Sequence, residues 1–148
     1  MKFIFTAEIN QPINKVVELF LNQDNLKQWQ KELLSYENIG GITGDVGAKT
    51  KLIYKSVTII ETIISKNLPS EVIGYYEHMA GERTVMTHNT SHRFRQLSKT
   101  QTLFELEMQE VKFLGFLPKI MSKLMGGMFE KYHQKQVDQF KEFAEGQN

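Results

Sequence analysis

Residues 102–110 read Thr-Leu-Phe-Glu-Leu-Glu-Met-Gln-Glu, and their alternation decides the fold class. Phe104, Leu106 and Met108 share one face, while Glu105, Glu107 and Gln109 share the other. Such a pattern belongs to a strand buried on one side and wet on the other, which is the habit of antiparallel sheets. The strand before it, across Ser98-Lys99, carries Phe94 opposite Arg93 and Arg95. With Phe94 inward, His92, Thr90, His88, Met86 and Thr84 follow it onto the inner face, provided no bulge intervenes. Arg93 and Arg95 then point outward, where Glu105 and Glu107 can pair with them. Exposed pairs of this kind contribute about 0–1 kcal/mol each and set register more than stability.

Working outward from this hairpin, the chain from Leu34 to Val111 is a run of extended segments. Turn signals separate them at Gly40-Gly41 through Gly47, Leu68-Pro69-Ser70, Ala80-Gly81-Glu82 and Ser98-Lys99. Links this short favour an antiparallel meander. Upstream, Phe3, Phe5, Ala7 and Ile9 alternate in a first strand. Asn10-Gln11-Pro12 then supplies a helix start with Pro12 at the first helical position, and Ile13, Val16, Val17 and Phe20 follow at helical spacing. A second short helix is expected from Asp24, as cap, to Gln30, holding the only tryptophan, Trp29. Downstream, Pro118 opens a long helix running to Glu145, with Met121, Leu124, Met125, Met128, Tyr132, Phe140 and Phe143 as its apolar stripe. Gly126-Gly127 interrupts that helix at a cost of about 1 kcal/mol per glycine, which suggests spared cavity volume or a bend.

Composition narrows the function classes. The chain has 148 residues, 41% hydrophobic and 24% charged, which fits one globular domain and not a disordered chain. Its formal charge of +1 gives no reason to expect nucleic acid or an acidic membrane surface as a partner. The absence of cysteine excludes a disulfide scaffold, a thiolate metal site and a cysteine nucleophile. No apolar run approaches the ~20 residues of a membrane span, and Glu8 interrupts the opening before a signal-peptide core could form. A cytoplasmic protein is the expectation.

The order strand, two helices, six strands, long helix resembles the helix-grip fold of the START/Bet v 1-like (SRPBCC) superfamily. That superfamily includes bacterial polyketide cyclase/dehydrase-like lipid-transport proteins. Residues Ala7-Glu8-Ile9-Asn10-Gln11-Pro12-Ile13-Asn14-Lys15-Val16 resemble its opening strand, proline-led turn and first helix. Trp29 stands where the second short helix of such proteins commonly carries a tryptophan. Gly44-Asp45-Val46-Gly47-Ala48-Lys49 resembles the glycine-bearing turn into the next strand, and Phe113-Leu114-Gly115-Phe116 resembles the closing section before the long helix. The resemblance implies an α+β fold in which a curved seven-stranded antiparallel sheet wraps around the C-terminal helix. It implies an apolar-ligand cavity between them, and the superfamily holds carriers, hormone binders, cyclases and chaperone-associated domains.

Function must then be sought in the inward residues. The cavity candidates are Trp29, Leu52, Tyr54, Met86, His88, Thr90, His92, Phe94, Phe104, Leu106, Met108, Met121, Met125 and Met128. Tyr54 shares a face with Leu52 opposite Lys49, Lys51 and Lys55, so its ring faces in and its hydroxyl needs a partner. His88 and His92 offer polar handles on an apolar wall. They lie about 13 Å apart along a strand, too far to chelate one ion together, and no metal or other cofactor is expected. In Val57–Lys66 both faces are apolar and the facing of Glu61 stays open. If Lys66 points out, Glu61 points in, where desolvation would raise its pKa; a bulge reverses this, and the solvated face is the commoner place for a glutamate. The leading expectation is a carrier or binding protein for a small hydrophobic molecule. A cyclase, dehydratase or hydrolase using His88, His92, Tyr54 or Glu61 for proton transfer is the alternative, and a chaperone-cofactor-like module is a third.

Overall fold

Alternation builds the first strand as expected: Phe5, Ala7 and Ile9 are buried while Ile4, Thr6 and Glu8 face out, forming β1(Phe3–Ile9). The structure, a computed structural model, describes residues 2–116, 120, 123 and 126–148. Helix α1(Ile13–Leu21) begins one residue later than the sequence suggests. Pro12 is its extended N-cap, and the Pro12 carbonyl accepts the first helical bond from the Val16 N–H at 3.0 Å. A 3-10 turn at Gln23–Asn25 leads into α2(Leu26–Trp29). The cap here is Asn22 rather than Asp24: its Oδ1 accepts from the Asp24 N–H at 3.0 Å, the side-chain-to-backbone turn that asparagine favours.

Six strands follow: β2(Leu33–Gly40), β3(Lys49–Tyr54), β4(Thr58–Asn67), β5(Glu71–Ala80), β6(Arg83–Ser98) and β7(Gln101–Phe113). All pairings are antiparallel and the sheet order is β1-β7-β6-β5-β4-β3-β2. The chain closes with α3(Gly126–Glu145). The architecture is the α+β helix grip, a curved seven-stranded sheet around the C-terminal helix with short helices after the first strand. Leu117, Pro118, Lys119, Met121, Ser122, Leu124 and Met125, which include the expected helix start and part of its stripe, lie outside the described residues.

Bulges correct strict alternation at two places in the central hairpin. The β5–β6 register steps from His78↔Met86 to Met79↔Thr84, so Val85 is the extra residue. Thr84 thereby leaves the inner face expected for it, and its hydroxyl turns to Met79 Sδ at 3.3 Å. In β7 the register steps from Gln109 to Lys112 while β6 advances only from Asn89 to Thr87. Glu110 absorbs the extra residue with a left-handed φ of 53°. It turns outward, where Asn89 Nδ2 donates to its Oε2 at 2.7 Å. Val111 becomes buried and Phe113 reaches the cavity wall, opposite to what unbroken alternation would give.

The core sits between the sheet and the helices. Phe104, Phe140, Ile9, Met108, Val16, Val137 and Thr102 are its most deeply buried side chains. Phe20 of α1 stands at 5.3 Å from Phe94, 5.5 Å from Phe104 and 5.5 Å from Phe140 by ring centroids. The buried stripe of α3 is His133, Val137, Phe140 and Ala144, with Phe129 partly buried. It shares Phe140 with the expected stripe, while Met128 and Tyr132, 65% and 38% exposed, line the cavity instead of packing into the core. Side-chain bonds clamp α3 onto the β1 edge. Gln134 Nε2 donates to the Thr6 carbonyl at 3.1 Å, Lys141 Nζ to the Glu8 carbonyl at 2.6 Å, and the Asn10 N–H to Glu145 Oε2 at 2.8 Å. These bonds occupy edge groups that would otherwise invite another strand.

On the outer face Arg93 bonds Glu71 at 2.7 Å, Glu105 at 2.9 Å and Glu107 at 2.5 Å. Glu107 is nearly inaccessible, and Lys2 reaches it at 3.1 Å. The Arg93 hydrogen bond holds Glu107 below the usual carboxylate range. Arg95, expected to share this pairing, is exposed and has no salt bridge among the described residues.

Candidate functional site

Between the sheet and the helices lies a cavity of about 960 Å³, at the upper end of ordinary small-molecule sites. Phe20, Leu21 and Trp29 close it from the short helices, and Phe129, His133 and Val137 from α3. Its sheet wall is largely apolar, with polar side chains at Tyr54, Lys66, His78, Thr90 and His92 and one transverse row of them at a single level. Thr50 pairs with Glu61, Glu61 with Tyr76 and Tyr76 with His88, so four adjacent strands bring one polar side chain each to the same level of the wall.

The Glu61 position depends on a third bulge. The β4–β5 register shifts between Ile63 and Ser65, leaving Ile64 as the extra residue. Ile59, Glu61 and Ile63 before it, and Lys66 after it, therefore all line the cavity. The commoner expectation, Glu61 on the solvated face, is corrected. The premise linking an inward Glu61 to an outward Lys66 also fails, because the bulge resets parity between them. Lys66 Nζ donates to the Gly44 carbonyl at 2.8 Å.

Tyr76 joins the two halves of the row. Its hydroxyl donates to Glu61 Oε2 at 2.7 Å, and its ring stacks on His88 with centroids 5.0 Å apart and planes 9° apart. Gly74 permits this pose: a Cβ there would stand 2.8 Å from Tyr76 Cε2. Beyond Tyr76, His88 Nε2 lies 2.8 Å from His78 Nε2, and His88 Nδ1 lies 2.7 Å from Thr90 Oγ1. Two neutral imidazoles meeting nitrogen to nitrogen need one donor and one acceptor. The direction in which Thr90 points its proton therefore fixes the tautomers of both rings. Across the cavity, His133 Nδ1 donates to the Phe129 carbonyl at 2.9 Å, so its neutral Nε2 is an acceptor.

Every histidine of the chain lines this cavity: His78, His88, His92 and His133. Burial pushes His78 down to about 4 and His92 to about 4. His88, buried and next to His78, is pushed to about 2. Burial lowers His133 as well. Desolvation raises Glu61, although the Tyr76 hydrogen bond opposes it. Desolvation likewise raises Tyr54 and Tyr76. At neutral pH the imidazoles and phenols are uncharged, and these groups offer hydrogen bonds rather than fixed charge. Among the described residues, no group of three or more His, Cys, Asp or Glu side chains is placed to hold a metal ion.

Of the residues singled out from sequence, Trp29, Leu52, Tyr54, Met86, His88, Thr90, His92, Phe104, Leu106, Met108 and Met128 line the cavity. Tyr54 donates its hydroxyl to Gln30 Oε1. Phe94 does not line it: the ring is buried in the aromatic core, 5.4 Å from Phe104. Met121 and Met125 lie outside the described residues. Gly127 is exposed, and a Cβ there would meet nothing within 4 Å, so it spares no cavity volume. Sequence reasoning missed Tyr76, His78 and His133. The first two were legible in the alternation Val72-Gly74-Tyr76-His78, and His133 in its four-residue spacing from Phe129 and Val137.

No protein-family model and no curated protein matches the chain. Solved structures do match its fold. A conserved protein from Geobacillus kaustophilus superposes with a TM-score of 0.76 at 12% identity, covering 97% of this chain and 95% of that one. Ara h 8.0201, of the Bet v 1 family, gives 0.67 at 8%, with 97% of both chains covered. A START superfamily protein from Mycobacterium smegmatis gives 0.63 at 14%, covering 96% of this chain and 98% of that one. The fold is START/Bet v 1-like.

Proposed function

We propose that this chain is a binding or carrier protein for a small hydrophobic molecule of lipid, polyketide or aromatic type. The observation that carries the reading is the 960 Å³ cavity, apolar over most of its wall and crossed by one row of hydrogen-bonding groups. The apolar body of the ligand rests on Leu52, Phe104, Leu106 and Met108. Its polar end meets Glu61, Tyr76 or the His78–His88 pair. A ligand entering this space gains roughly 25 cal/mol for each Å² of apolar surface taken from water, and the few polar groups fix its orientation. Native mass spectrometry of freshly purified protein, followed by organic extraction, tests the reading. A retained apolar compound of fixed stoichiometry is the expected result. Protein that neither retains such a compound nor takes one up from a panel of lipids and polycyclic aromatics would overturn it.

A further inference from the structure

We propose that the cavity also catalyses proton transfer at carbon, with Glu61 removing a proton from the carbon next to a ketone and His78 donating a hydrogen bond to the ketone oxygen. The inference rests on the binding reading above and adds a reaction and a substrate class to it: apolar ketones that can enolise.

Three observations support it. First, Glu61 is a cavity-facing carboxyl, and among the described residues its bonded partner is Tyr76, on Oε2 only. Its other oxygen is available to a ligand. Burial in an apolar wall also makes a carboxylate a stronger base once it is ionised. Second, His78 spends Nε2 on His88, and among the described residues Nδ1 has no hydrogen-bond partner. When Thr90 donates to His88 Nδ1, His88 donates through Nε2 to His78, and His78 must then carry its proton on Nδ1. A neutral imidazole with its tautomer fixed in this way is an electrophile rather than an acid, which suits an oxygen gaining partial charge. Third, the two groups are correctly spaced. Glu61 pairs with Tyr76 on β5 and His78 lies two residues further along the same strand, on the same face. Diagonal neighbours of this kind stand about 7–8 Å apart at the backbone, which leaves room between them for a C–C=O unit.

The step balances without a cofactor. The C–H bond breaks, its proton passes to a Glu61 oxygen, and its electron pair forms the enolate C=C while the C=O pair moves to oxygen. Return of the proton to the same carbon gives exchange with solvent; return to a conjugated carbon gives double-bond migration.

The test uses 2-tetralone in D2O. Loss of its α-proton signal is followed by NMR, and occupancy is measured independently by quenching of Trp29, which lines the cavity. Exchange faster than the buffer background by about 100-fold or more is expected. Glu61→Gln should return exchange to background even at ketone concentrations raised until quenching shows full occupancy. His78→Gln should slow exchange about tenfold or more when compared at the same occupancy. Tyr76→Phe, which retains ring shape, should change the pH profile of exchange rather than abolish it. Quenching without exchange in the unmodified protein, or full exchange in Glu61→Gln, would overturn the catalytic inference and leave the binding reading standing. Neither quenching nor exchange would overturn the catalytic inference, and would overturn the binding reading as well if the lipid and aromatic panel also failed to bind.

Discussion

Acid should destabilise this fold well above the pH at which carboxylates titrate, because the cavity histidines must stay neutral for it to form. In the folded state His78 and His92 titrate at about 4 and His88 at about 2, against about 6.5 in an unfolded chain. Between those values the unfolded state binds more protons, so stability is complete above about pH 6.5 and falls as pH falls. From pH 7.5 to 5, a shift of this size costs about 2 kcal/mol per histidine, or about 6 kcal/mol for three. Water in the cavity can solvate an imidazolium at His78, which has accessible cavity surface, so His92 is the firmer contributor. Glu61 works in the other direction: its raised folded value adds stability as pH falls, and offsets one proton at most. Glu107, held low by Arg93, loses its contribution only below about 4.5, outside the window. The net expectation is uptake of about two protons on unfolding between pH 5 and 6.5, and a loss of about 3–5 kcal/mol. With a urea m-value near 2 kcal/mol/M, the midpoint should drop by about 1.5–2.5 M. Urea titrations of the ligand-free protein at half-unit pH steps measure this, and His92→Gln should remove about one proton from the slope. A midpoint that stays level from pH 7.5 to 5 would refute the claim that these rings are buried and neutral.

Other outcomes follow from single contacts. Gly74→Ala should push the Tyr76 ring off Glu61, costing about 1–3 kcal/mol by thermal melts; an unchanged Tm and unchanged ligand affinity would count against it. Gly127→Ala, with open space around the new methyl, should leave ligand uptake unchanged and stabilise the helix by up to about 1 kcal/mol. A drop in ligand affinity would contradict that placement. Arg93→Ala removes one of three partners of a nearly inaccessible Glu107, leaving Lys2 and Gln109, and should cost about 1–2 kcal/mol at pH 7. The deficit should shrink as pH falls below about 4.5, toward the lower pH at which Glu107 also protonates in the unmodified protein. A deficit constant with pH would mean that packing, not charge, holds Arg93 in place.

The sheet was legible because its strands bury one face, and Phe104-Leu106-Met108 against Glu105-Glu107-Gln109 leaves little choice of class. The order of elements supplied the rest of the architecture, and it placed His88, Thr90 and His92 on the wall where they are found. What alternation could not supply was its own interruptions. Val85, Ile64 and Glu110 each add one residue to a strand, and each reverses the facing of whatever follows. Nothing in the local composition marks them, since a bulge is set by the neighbouring strand and by what the core needs. The error at Thr84 and the open facing of Glu61 both trace to that cause. The helix stripe was incomplete for a different reason. Hydropathy chose Met128 and Tyr132, which line the cavity, but passed over His133 and Val137, which are buried while side-chain bonds hold α3 on the β1 edge. The Glu61–Tyr76–His78 grouping is a property of three strands together, visible only once their register is known.

That register has a metric consequence. Adjacent strands lie about 4.8 Å apart, so Thr50, Glu61, Tyr76 and His88 mark the cavity wall at even intervals, like graduations on a scale. A guest with a single oxygen can slide from one graduation to the next and still be held. One with two oxygens set about 5 or 10 Å apart can be held in only a few discrete positions. The wall thus measures the distance between functional groups along a guest, and lengthening a guest by one or two carbons between its oxygens should matter more than lengthening its tail.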